Sequence, residues 1–97
     1  MTIYLAGPMS GIAEYNYPAF HAAAAAWRAK GHAVVNPADE ADTSLPYGVY
    51  IRRAVERILV VDAVAVLPGW SGSRGATLEV DMARLLGLPV LNAEHPE

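Results

Sequence analysis

The stretch "VYIRRAVERILVVDAVAVLPG", residues 49–69, decides the fold. Its first part, residues 49–62, repeats apolar side chains at helical spacing and therefore predicts a helix whose charged side chains lie largely on the other faces. Its second part, residues 63–69, is a continuous apolar run closed by Pro-Gly, which is typical of a buried central strand in a parallel sheet. The apolar helix positions are Val49, Ile51, Ala54, Val55, Ile58 and Leu59, and the charged ones are Arg52, Arg53, Glu56 and Arg57.

Short β-like runs and longer helical runs alternate along the whole chain, a pattern typical of an α/β fold. The order is β-α-β-α-β-α-β. Right-handed crossovers make it a small doubly wound, flavodoxin-like or Rossmann-like parallel sheet of about four strands with helices on both faces. We expect one domain over residues 1–97. The other predicted strands are residues 2–7, 32–37 and 89–93, and the other predicted helices are residues 17–31 and 75–87.

Length and composition limit the classes of function. A chain of 97 residues forms only a small core, so we expect self-association as a homodimer or larger homo-oligomer. It has no basic region before its first apolar run, no apolar run near the ~18 residues of a membrane span and no cysteine, which favours a cytoplasmic protein without membrane contact. A net charge of −3 without a basic cluster argues against binding long nucleic acid. His21, His32 and His95 lack ligand spacing, so neither a metal nor another cofactor is expected.

Ligands of open parallel α/β sheets bind outside the carboxyl ends of the strands. Three predicted loops meet at that edge: "AGPMSG" (residues 6–11), "NPADEADTSLPYG" (36–48) and "PGWSGSRGATLE" (68–79). The first and third are rich in Gly and Ser, which allow a ligand to approach the backbone, and the third opens a helix whose N-terminus suits an anion. Neither is a phosphate-loop motif or a G-x-G-x-x-G fingerprint. A small anionic ligand fits this crevice.

Three segments resemble the nucleoside 2-deoxyribosyltransferase superfamily: "IYLAGPMSG" (residues 3–11), "VDAVAVLPGW" (61–70) and "SRGATLEVDMARLLGLPV" (73–90). The similarity is strongest to its short DUF4406-type branch, which often occurs in phages and prophages. It covers nearly the whole chain. It implies retaining chemistry at the N-glycosidic bond of a nucleoside or nucleotide, as a 2-deoxyribosyltransferase or as a deoxynucleoside 5'-monophosphate N-glycosidase.

The resemblance implies that Glu79 is the nucleophile, because "GATLEVDMA" matches the family's G-x-x-x-E-x-x-x-A context. It would attack the anomeric carbon and give a glycosyl-enzyme ester. Tyr4 matches the strand position from which the family's tyrosine orients that carboxylate. Without the resemblance, Glu79 would be a carboxylate favoured by the helix dipole and Tyr4 a half-buried strand aromatic.

The same resemblance implies substrate contacts in the loops. Ser73, six residues before Glu79, would contact a 5'-phosphate, with Gly72, Gly75 and the helix N-terminus beside it. Arg74 would either add charge there or be a solvated cation.

Other loop residues are predicted to bind the substrate. Gly7, Ser10 and Gly11 lie in the turn after the first strand, where the family holds the sugar or phosphate. Trp70 would stack on a base or pack at a subunit contact. Asp62 matches a position usually acidic in the family, or only terminates the helix before it.

The chain departs from the family at Ala54, where catalytic members carry the aspartate that protonates the leaving base. Two functions therefore stay open: the N-glycosyl enzyme, and a non-catalytic module that binds or sequesters a nucleotide in the same crevice. The acids that could replace the missing one are Asp39, Glu40, Asp42 and Asp81.

Overall fold

The computed structural model describes residues 1–40 and 44–97. This part of the chain forms a four-stranded, all-parallel sheet surrounded by helices, so the predicted α/β fold class and element order are confirmed. The elements are β1 (Thr2–Ala6), α1 (Tyr17–Ala29), β2 (Ala33–Val35), α2 (Tyr47–Ile58), β3 (Ala63–Val66), α3 (Arg74–Leu85) and β4 (Val90–Asn92).

The strand order is β2-β1-β3-β4, the arrangement of a flavodoxin-like sheet. The chain moves from β1 to one side for β2 and then crosses β1 to form β3 and β4. The order therefore reverses between β1 and β3. At such a reversal the loops after the two strands diverge to opposite faces and leave a crevice at the carboxyl edge, which is where this fold binds ligands.

Side chains of β1 alternate between two cores. Ile3 and Leu5 pack with Phe20 and Trp27 of α1 on one face of the sheet. Tyr4 and its neighbour Ala6 pack on the other face, with α2 and α3. Because successive strand residues point to opposite faces, this alternation sends the Tyr4 side chain into the layer that carries Glu79.

Helix α2 begins and ends earlier than the periodicity predicted. It starts at Tyr47, directly after Pro46 in an extended conformation (ψ 146°), and it ends at Ile58 rather than at residue 62. Asp62 lies next to the amino end of β3 and not in the helix, since its backbone N–H donates to the Thr2 carbonyl at 2.9 Å. The apolar residues 59–61 therefore lie in the connection between α2 and β3. In the sequence they look like a continuation of the helix because they are hydrophobic.

Gly7 directly follows β1, at a point where the chain comes close to the residue after β3. A β-carbon at this position would lie 2.8 Å from Cβ of Leu67 and 3.3 Å from Cζ of Phe20. The first of these atoms is fixed to the backbone after β3, so it cannot move aside cheaply. Glycine is thus required where the two strands bordering the crevice lead into their loops.

Trp27 joins α1 to the residue after β4. Its side chain is fully buried, and Nε1 donates to the carbonyl of Ala93 at 2.9 Å. We expect Trp27→Phe to lower the free energy of unfolding by about 1–3 kcal/mol, because the substitution leaves a buried carbonyl without its donor. Urea denaturation at neutral pH measures this loss. An unchanged unfolding midpoint would show that water satisfies the carbonyl once the indole is gone.

Among the described helices, none combines the length and the hydrophobicity needed to cross a bilayer.

Candidate functional site

A pocket with a cavity volume of about 670 Å³ opens at the carboxyl edge of the sheet. Its walls come from the turn after β1, from Pro37 and Glu40 after β2, from the start of α3 and from one side of α2. The volume lies within the range of small-molecule sites. The pocket therefore occupies the crevice that the strand order creates.

Tyr4 and Glu79 meet in this pocket. The Tyr4 hydroxyl donates a hydrogen bond to Oε2 of Glu79, so β1 and the second turn of α3 are joined by their side chains. Both residues line the cavity. The contact that the resemblance implied between them is therefore present in the structure.

Burial sets the ionisation of this pair. Burial raises the pKa of Glu79 from its ordinary 4.5 to about 7, although the hydrogen bond from Tyr4 acts in the opposite direction. Burial and the nearby Glu79 carboxylate raise the pKa of Tyr4, so its hydroxyl stays protonated and acts as the donor. Glu79 is thus a carboxyl group that changes charge near neutral pH.

The start of α3 forms a second wall. Ser73 is the N-cap of the helix, and its Oγ accepts from the Ala76 N–H at 3.2 Å. Gly72, Ser73, Arg74 and Gly75 all line the pocket. The helix N-terminus supplies a positive dipole end and Arg74 a full positive charge, so this wall suits an anionic group.

One side of α2 faces the pocket, and of its residues only Ala54 was expected at the site from the sequence. Tyr50, Arg53, Ala54 and Arg57 line the cavity, and their i, i+3, i+4, i+7 spacing is that of one helix face. The helical periodicity placed the arginines of this helix largely on faces other than the apolar one, without saying what those faces meet. The spacing of these residues shows that they share one face of the helix, but it does not show whether that face meets a cavity or solvent.

Arg57 is paired with Glu40 from the loop after β2. Its Nη2 donates to the Glu40 carboxylate, and its Nη1 donates to the carbonyl of Arg53 at 3.4 Å. The bond to Glu40 raises the pKa of the guanidinium, which stays charged.

Tyrosines also line the cavity. The rings of Tyr15 and Tyr17 lie 5.6 Å apart, and Tyr47, about half exposed, is placed so that its hydroxyl lies 3.2 Å from the position of a β-carbon on Gly75. Together with Tyr50 they offer aromatic faces beside the charged walls.

The structure places three of the predicted substrate-binding residues outside the pocket lining, while Gly7 and Ser10 lie within it. Asp62 lies at the opposite, amino edge of the sheet, where Oδ2 accepts from the Thr2 N–H at 2.7 Å. The Cζ atom of Arg84 lies over Trp70, 6.0 Å from the centroid of the Trp70 ring. Gly11, in the turn after β1, has a φ of +80°, and a β-carbon added there would have none of the surrounding heavy atoms within 4 Å. The substrate contacts expected of these three residues stay predictions.

The acids considered as substitutes for the family's aspartate are separated. Glu40 lines the main pocket, whereas Asp81 lines a second depression between α2 and α3. Asp39 is paired with His21 and Arg28. Asp42 lies outside the described residues.

No group of three or more potential ligands within residues 1–40 and 44–97 is arranged to hold a metal ion.

The raised pKa of Glu79 predicts a pH-dependent gain in stability for Glu79→Gln. Because the folded-state pKa lies above the ordinary value of 4.5, the carboxyl binds its proton more tightly in the folded chain. The stability this gives is complete below the unfolded pKa and is lost as the pH rises to about 7. We expect the variant to be more stable by about 1–3 kcal/mol at pH 8 and nearly unchanged at pH 4.5.

Urea unfolding of both proteins at the two pH values measures this difference. The same gain at both pH values would mean that it comes from packing and not from ionisation.

Comparison with models of known protein families gives a match over residues 1–92 to the family described as "Domain of unknown function (DUF4406)". No curated protein and no solved structure matches the chain significantly. The matched residues contain every strand and helix named above and every residue described here as lining the main pocket.

Proposed function

Since this chain belongs to the DUF4406 family, whose description assigns no activity, we propose from the chemistry of its pocket that it is an enzyme of N-glycosidic bonds. It would act on a 2'-deoxynucleoside or its 5'-monophosphate, with Glu79 as the nucleophile. We also propose that the family is a short branch of the nucleoside 2-deoxyribosyltransferase-like superfamily. The three sequence segments described first support this link.

The observation that carries the proposal is the hydrogen-bonded, partly buried Tyr4–Glu79 pair inside a cavity of about 670 Å³. An ionised Glu79 would attack the anomeric carbon, and its bond to that carbon would form as the bond to the base breaks. The hydroxyl of Tyr4 holds the carboxylate in one orientation, which favours attack from a fixed direction. Water or a second base would then release the sugar from the ester, giving hydrolysis or transfer with retained configuration.

The two other walls fit the remaining parts of such a substrate. The N-terminus of α3 with Ser73 and Arg74 suits a 5'-phosphate or a sugar hydroxyl. The tyrosines that line the cavity suit a base, because every base has an aromatic face on which a ring can stack. An anionic group joined to an aromatic group describes a nucleotide.

A non-catalytic nucleotide-binding module is the second candidate, and Ala54 is the observation that favours it. This residue lines the pocket with a methyl group only. Such a module would use the same walls to sequester or sense a nucleotide and would leave its glycosidic bond intact.

The test is incubation with each deoxynucleoside and each 5'-monophosphate, followed by chromatography for free base and calorimetry for binding. Release of base from at least one compound is the expected result. A measurable dissociation constant without base release from any compound would overturn the enzyme and support the binding module. Ribonucleosides serve as the matched comparison, since the 2'-hydroxyl adds bulk next to the anomeric carbon that Glu79 must reach.

The predicted homo-oligomer stays a prediction. Exposed apolar side chains on the described surface, among them Leu59, Val60 and Leu85, are compatible with a subunit contact. Light scattering at several protein concentrations measures the state directly.

A further inference from the structure

The Arg57–Glu40 pair stands in the pocket without a role in the chemistry described so far. Both side chains line the cavity, and Arg57 is 28% exposed and Glu40 45%. Both act electrostatically on the hydroxyl of Tyr4: after the larger effects of burial and of Glu79, Arg57 lowers its pKa and Glu40 raises it. The pair therefore lies beside the nucleophile's partner.

Breaking an N-glycosidic bond places negative charge on the base. The nitrogen that leaves keeps both bonding electrons, and the reaction is slow unless a proton or a fixed donor stabilises that charge. Ala54 offers neither a proton nor a donor, although it lies at the centre of the α2 wall, the helix face formed by Tyr50, Arg53, Ala54 and Arg57. The group that meets the base must therefore come from the side chains around it.

Arg57 is a cation of that wall whose guanidinium is held in place on both sides. It lies one turn after Ala54 on the same face, and Glu40 and the Arg53 carbonyl hold its two terminal nitrogens. A guanidinium carries five N–H donors, so it can bond to a ligand while it stays paired. Arg74 lines the pocket at the N-terminus of α3, the wall that suits the other end of a nucleotide.

We infer that Arg57 stabilises the leaving base by hydrogen bonding to one of its acceptor atoms, and that Glu40 is the positioning residue that holds the guanidinium. This inference rests on the proposed function. As the carboxylate oxygen of Glu79 bonds to the anomeric carbon, the electron pair of the broken bond moves to the base nitrogen. The base leaves as an anion paired with Arg57 and takes its proton from water, which becomes hydroxide. Arg57 itself loses no proton, because a guanidinium stays charged in proteins.

The test compares two substrates whose leaving groups differ in how much they need stabilisation by a hydrogen-bond donor. One is a nucleoside or nucleotide that the protein cleaves, and the other is 4-nitrophenyl 2-deoxyribofuranoside, whose nitrophenolate leaves as a stable anion. We expect Arg57→Gln to lower kcat/KM about 10- to 100-fold on the natural compound and less than about threefold on the aryl compound. Glu40→Gln should show a weaker form of the same selectivity. Arg52→Gln, on an exposed face of the same helix, is the matched control and should leave both rates unchanged.

Equal losses on both substrates would overturn the inference while leaving the proposed function intact. Cleavage of neither substrate by the unaltered protein would overturn the proposed function and the inference with it. If Arg57→Gln does not fold, Arg57→Lys replaces it: this variant keeps the charge without the planar fork, and a loss confined to the natural substrate supports the role of Arg57.

Discussion

Replacing Glu79 by Gln is expected to reduce base release at least about 1,000-fold, because an amide cannot form the ester with the anomeric carbon. The substitution is close to isosteric, and the Gln oxygen still accepts the hydrogen bond that Tyr4 donates to Glu79. Binding of substrate should therefore be nearly unchanged, and the loss should appear in kcat rather than in KM. Steady-state assays by chromatography, together with calorimetric titration of the variant, separate the two parameters.

Glu94→Gln makes the same chemical change at an exposed position outside the pocket and is the matched control. A second variant, Glu79→Ala, distinguishes a nucleophile from a residue that merely shapes the pocket. The truncated side chain leaves room for a small anion such as formate or azide, which should restore part of the base release by attacking the anomeric carbon. If Glu79→Gln keeps more than about a tenth of the activity, another group forms the covalent bond.

The pH profile of base release should rise roughly 100-fold between pH 5 and pH 8. The reactive form of a nucleophile is the carboxylate, and with a pKa of about 7 only roughly 1% of Glu79 is ionised at pH 5, against roughly 90% at pH 8. Values of kcat/KM across this range report the ionisation of the free enzyme. The inflection should lie near pH 7, far above the usual range for a glutamate.

Tyr4→Phe tests the origin of that inflection. The hydrogen bond from Tyr4 lowers the pKa of Glu79, so its removal should move the inflection to higher pH and lower the rate at pH 7. If base release by the unaltered protein falls as the pH rises through 7, Glu79 works as an acid, and the assignment of the nucleophile is wrong.

The sheet and its crevice were predictable because they depend on local patterns. The apolar run at residues 63–69 fixes a central strand, and the alternation of strands and helices restricts the topology to a few crossovers. The meeting of Tyr4 with Glu79 was predictable only through the resemblance. They lie 75 residues apart in sequence, and no periodicity relates one to the other.

The α2 wall was not predictable from the same patterns. Arg53 and Arg57 occupy the polar face of an amphipathic helix, and such a face is more often solvated. It borders a cavity here because α2 packs beside α3 on the face of the sheet that carries Tyr4, which is a property of the assembled layers. Asp62 is the opposite case. The resemblance suggested that this acid contacts the substrate, but it lies at the amino edge of the sheet, away from the pocket.

Strand β1 carries core residues and a site residue on alternating faces. A slip of one residue in its pairing would turn Tyr4 toward α1 and place Ile3 or Leu5 on the face of the sheet that carries Glu79. No misregistered chain could therefore bring the phenol to Glu79. Counting competent sites by burst titration would measure the fraction of molecules whose central strand is in register, so that catalysis would serve as a gauge of folding fidelity.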